Sequence, residues 1–147
     1  MLANQSSTRE NSTFIRTAGS WCMIGALIGI GVGVKEGLAP TVWGTTMFVV
    51  MQVVALIANA LVLVGVIGLA RSGAAGEGRL AKIGLGLTLF ASALFLPLEL
   101  FIISNLEIGG MLLGISALHQ GLVLLLAGIA VVRAGRWHGW HRWTPLI

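Results

Sequence analysis

Groups able to do chemistry are sparse in this chain, and Glu99 is the most informative of them, a carboxylic acid set inside a long apolar run. An acid in such a run is costly unless it faces protein or water. Gly84, Thr88, Ser92 and Glu99 follow a three-or-four spacing, so one helix face carries all of them and turns the acid toward neighbouring helices. Pro97 lies two residues earlier and has no N–H for the Ala93 carbonyl, which opens a turn beside the acid. Two readings follow from these residues. Glu99 is a proton-titrating or cation-binding carboxylate, or it is a hydrogen-bonded structural acid that finds a partner such as Lys35.

Around Glu99 the sequence offers a short roster of polar residues at membrane depth. Gln52, Ala55 and Asn59 share one face of a second apolar run, with Thr45 two turns further out, and His119 and Gln120 lie inside a fourth. Such groups hydrogen-bond helices together or line a small cavity, and Glu99, His119, Gln52 and Asn59 are the candidates for a proton or ligand path. A histidine at that depth suits haem ligation or proton relay. No second histidine falls in any apolar run, which excludes bis-histidine haem within one chain, and no particular cofactor is specified. His119 is also out of phase with the small residues Gly114, Ala117 and Gly121 of its own run. The chain has no aspartate, no nucleophile with a positioned base, no phosphate-cradling loop and no metal-ligand cluster, so the expectation is a protein that is not an enzyme. His138 and His141 could share a metal but have no third ligand nearby. The lone Cys22 reads as a small packing residue.

These residues need elements to hold them, and the composition states which. Of 147 residues 56% are hydrophobic and only 10% charged, with a mean hydropathy of +0.95. Predominantly apolar blocks of about 20 or more residues are the length needed to cross a hydrocarbon core of about 30 Å as helix. Four blocks qualify, at about 17–38, 41–70, 80–104 and 110–132. No run alternates like a barrel strand, so the expected fold is all-α: a polytopic membrane protein whose four transmembrane helices form two helical hairpins packed in a bundle, as a single membrane domain. Pro40 marks the first tight connection and Gly109–Gly110 the third, while the small-residue segment 71–79 links the hairpins. The net charge of +4 does not point to nucleic acid, because the basic residues flank the spans. Arg9, Arg16, Arg71, Arg79, Lys82, Arg133, Arg136 and Arg142 fall on one side, and Lys35 alone on the other, beside Glu36. By the positive-inside rule the first side is cytoplasmic and holds both termini, with the bacterial inner membrane as the expected location.

Packing motifs are more abundant than chemical ones. Gly25, Gly29, Gly33 and Gly37 repeat every four residues and form a bare stripe that admits a close helix, from this chain or from another subunit. Gly84 belongs to a similar row in the third span, and Gly114 and Gly121 to one in the fourth. Trp21 and Trp43 fit the two interfaces, and Trp137, Trp140 and Trp143 fit an interfacial tail over 133–147. The hairpins also align with each other at an offset of 62 to 63 residues: 64–73 with 126–135, and Arg16 and Glu36 with Arg79 and Glu99. Two spans per unit preserve orientation, so such a repeat has its axis along the membrane normal. The expected function is a non-catalytic subunit packing into a homo-oligomer or larger membrane complex, with the bilayer and other membrane subunits or further copies as partners. The alternatives are a small proton-coupled transporter or channel subunit using Glu99, and, more remotely, a lipid- or pigment-binding module.

Overall fold

Pro40 fixes where the first hairpin turns. A helix ends at or before the residue preceding a proline, and α1, Leu2–Leu38, stops two residues short of it. The computed structural model describes the backbone of residues 2–135 and the side chains of residues 12–135. Trp137, Trp140, Trp143, His138 and His141 lie outside the described residues. Three more helices follow: α2, Thr46–Ser72, α3, Arg79–Ser104, and α4, Leu106–Ala134. The fold is all-α, and each of the four helices is long and apolar enough to cross a membrane.

The helix ends differ from the expected span limits for local reasons. Span two, expected from Thr41, begins at Thr46, because Thr41 belongs to the turn: its N–H donates to Glu36 Oε2 at 2.9 Å. Thr45 then caps α2 by accepting from Phe48 N at 3.2 Å. The turn expected at Gly109–Gly110 is instead the single residue Asn105, whose extended backbone ends α3 and whose side chain accepts from Ile108 N at 3.1 Å to start α4. Gly109 lies inside α4 and lets it fold back closely, since a Cβ there would come within 2.6 Å of Ile102 Cα.

Packing is serial. α1 lies on α2, α2 on α3 and α3 on α4, and among the described residues no other pair of helices touches. The two hairpins therefore join through α2 and α3 alone, and α1 and α4 form the flanks. Inside the first hairpin Ala18, Cys22 and Gly25 of α1 meet Gly68, Gly65 and Ala58 of α2. A Cβ on Gly68 would lie 2.6 Å from Ala18 Cβ, one on Gly25 would lie 2.7 Å from the Ala58 carbonyl oxygen, and one on Gly65 would strike Cys22. Helices in lipid gain little from hydrophobicity, so such close backbone approach is what associates them. Cys22 is a packing residue in this seam. The second hairpin closes through Ala81, Gly84 and Thr88 against Ala130, Ala127 and the Val123 carbonyl.

The hairpins share one register. Ala18 and Ala81, 63 apart, are both buried, and the seam residues Gly68, Gly65, Leu61 and Ala58 of α2 correspond at 62 to Ala130, Ala127, Val123 and Gln120 of α4. The ends agree too: Gly73 and Gly135 close α2 and α4 with left-handed backbones, φ 65° and 61°, and their N–H groups reach the Ala70 and Val132 carbonyls. Glycine enters that conformation without the Cβ clash other residues meet.

Candidate functional site

Among the described residues the buried polar ones are Thr88, Ser92 and Glu99, and all three lie on α3. Their common face, read from the three-or-four spacing, is turned inward as expected. Thr88 Oγ1 stands 2.7 Å from the Gly84 carbonyl and 3.0 Å from that of Val123 on α4, so its single proton ties α3 to the facing helix. Ser92 Oγ accepts from Gln120 Nε2 of α4 at 3.4 Å. Glu99, with 6% of its surface exposed, turns to the other neighbour and accepts from Asn59 Nδ2 of α2 at 3.1 Å. The polar positions of α3 thus hold together α2, α3 and α4.

Glu99 stands five residues before the end of α3, about 8 Å along the axis at 1.5 Å per residue. Pro97 lies within the helix on the exposed side, and the Ala93 carbonyl loses its usual helical donor there. The alternative partner for Glu99, Lys35, is elsewhere. Lys35 Nζ lies 2.7 Å from Glu36 Oε1 at the end of α1, with the Thr41 hydroxyl in contact with both groups, and α1 does not reach α3.

The four candidates for a path are not all brought together. Asn59 and Glu99 touch. Gln52 lies seven residues from Asn59 on the same face of α2, partly buried and making no side-chain hydrogen bond among the described residues. His119 is exposed on α4, outside the Glu99 seam, and so is the small-residue row Gly114, Ala117 and Gly121 with which it is out of phase. Its neighbour Gln120 is the residue that enters the interior. Among the described residues no group of three His, Cys, Asp or Glu side chains converges as a metal site would require.

The expected packing glycines divide in two. Gly25 and Gly84 lie in tight seams, whereas a Cβ on Gly29, Gly33, Gly37, Gly114 or Gly121 would meet no atom within 4 Å. Gly65, Gly68 and Gly109 do the closest packing, although the expected packing set held none of them and Gly109 was expected in a turn. Their signal was available as Gly65 and Gly68 spaced to oppose Ala18, Cys22 and Gly25 in an antiparallel pair. Trp21 and Trp43 are both half exposed, on α1 and in the turn after it.

Four apolar spanning helices with inward-turned polar groups define the class, an integral membrane protein. No protein-family model matches the chain, and comparison with curated proteins and with solved structures finds no similar one.

Proposed function

We propose that this protein is a non-catalytic subunit that packs, through the outer faces of its flanking helices, into a homo-oligomer or larger complex of the bacterial cytoplasmic membrane, with both termini in the cytoplasm. The observation that carries this reading is the set of glycines on α1 and α4 that meet nothing among the described residues. Glycine in a helix interior costs roughly 0.5–1 kcal/mol relative to alanine. That cost is offset where a second helix comes close, as at Gly25 and Gly68, but Gly29, Gly33, Gly37, Gly114 and Gly121 have no such return among the described residues. The cytoplasmic placement rests on Arg16, Arg71, Arg79, Lys82 and Arg133, which the antiparallel helices gather at one end. Gentle extraction from the native membrane, followed by sizing and mass spectrometry of what co-purifies, tests it. Stoichiometric companions or a defined homo-oligomer are expected, and a lone monomer under those conditions overturns the reading.

A second reading, a proton- or cation-coupled transport subunit, is favoured by the buried Glu99 and its Asn59 contact between α2 and α3. Unchanged flux in a Glu99→Gln protein with intact assembly removes it.

A further inference from the structure

We infer that copies of this chain associate head to tail, the outer face of α4 in one copy seating on the outer face of α1 in the next and repeating the α2–α3 interface found inside each copy. The inference rests on the assembly reading and supplies its partner, a second copy. Its basis is the shared register of the two hairpins. α3 corresponds to α1 at an offset of 63, and α4 to α2 at 62, in seam residues, and α2 and α4 correspond also in the glycines that close them. Whatever joins α2 to α3 therefore has a counterpart on each flank.

The counterparts are specific. Asn59, which marks the face of α2 turned toward α3, corresponds to Gly121, and Gln52 and Ala55 of the same face correspond to Gly114 and Ala117. Glu99, which marks where α3 reaches α2, corresponds to Glu36, and Gly33 lies one turn before Glu36 on α1. The partly buried α2 face turned toward α3 thus has an exposed counterpart on α4, and Gly33 is exposed beside Glu36 on α1. Both flanks carry small residues there, as a close antiparallel approach requires. α1 and α4 run in opposite directions, so their contact continues the up-down order α1–α2–α3–α4 from copy to copy. An interface of this kind joins unlike faces and propagates, closing as a ring when its axis lies along the membrane normal.

The Asn59–Glu99 pairing sets the register across copies: Gly121 comes level with Glu36, and Leu125 with Gly33. Leu125 is half exposed and a Cβ at Gly33 meets nothing, so neither position disturbs the chain's own fold. In a Cys22→Ala background, the double variant Gly33→Cys with Leu125→Cys is treated in native membranes with a short thiol–thiol cross-linker, beside the two single variants. The expected result is a ladder of covalent dimer, trimer and higher species from the double variant only. α1 and α4 of one chain do not touch, so linkage within a chain does not compete. Dimers from the Gly33→Cys single variant would mean like faces meet, and adducts with a different protein would mean another subunit covers the flank. Either result overturns head-to-tail association and leaves the assembly reading standing. No adducts together with a monomer on native sizing overturns both.

Discussion

Asn59 and Glu99 form a hydrogen bond between helices where lipid supplies no substitute donor, and the choice of replacement decides what is lost. Glu99→Gln keeps an acceptor oxygen for Asn59 Nδ2 and changes only the charge capacity. Asn59→Ala removes the donor and leaves the acid without its partner. Interhelical hydrogen bonds in membrane proteins average about 0.6 kcal/mol and reach about 1.7 in double-mutant cycles. Glu99→Gln is therefore expected to unfold in detergent within a few tenths of a kcal/mol of the parent, and Asn59→Ala about 1 kcal/mol earlier. A double-mutant cycle with Glu99→Leu reads the coupling directly, and a coupling near zero would remove Asn59 as the residue holding the acid. The inward turn of Glu99 was legible from its spacing with Gly84, Thr88 and Ser92. Its partner was not, because spacing within a helix says which residues share a face and not which neighbouring helix that face meets. Lys35 was plausible on charge alone, but α1 and α3 do not touch among the described residues.

Glycines that look alike in sequence divide at the scale of the helix. Gly33 and Gly68 both sit in spans, yet a Cβ on Gly68 runs into Ala18 while one on Gly33 enters open space. Overpacking a close contact costs typically about 1–3 kcal/mol. Gly68→Val should therefore destabilise the first hairpin by that amount in detergent unfolding. Gly33→Val should leave monomer unfolding near the parent value and reduce the assembled fraction on native sizing. Equal effects of both substitutions on unfolding would mean that Gly33 also packs within its own chain. Four spans and two hairpins followed directly from block length and hydropathy. The helix ends did not, because Thr41 and Asn105 act through single capping and turn contacts that hydropathy does not register. The serial order of packing was likewise invisible, since all four helices carry small residues and only their partners distinguish them.

At the scale of the whole molecule the antiparallel helices sort charge between two ends. Arg71 and Arg133 lie in the last turns of α2 and α4, Arg79 and Lys82 in the first turn of α3, and Arg16 enters α1 from the same end. Arg71 also stacks over the Phe14 ring at 4.6 Å, binding α1 and α2 together there. At the opposite end Lys35 is paired with Glu36, so that end offers no uncompensated cation among the described residues. Each basic residue near an anionic cytoplasmic leaflet contributes about 1 kcal/mol, and the imbalance of five cations to one paired cation is the basis of the proposed orientation. Val42, in the turn between α1 and α2, is 71% exposed, and Gly78, just before α3, has room for a side chain. With Cys22 replaced by alanine, Val42→Cys should react with a membrane-impermeant maleimide added to intact cells. Gly78→Cys should react only after the membrane is opened. The reverse pattern would place both termini outside, and equal labelling of both would mean that the chain inserts in two orientations. The second outcome bears on assembly as well. Head-to-tail contacts need every copy to present α1 and α4 in the same sense, so a population inserted both ways could not continue the α2–α3 arrangement from one copy to the next.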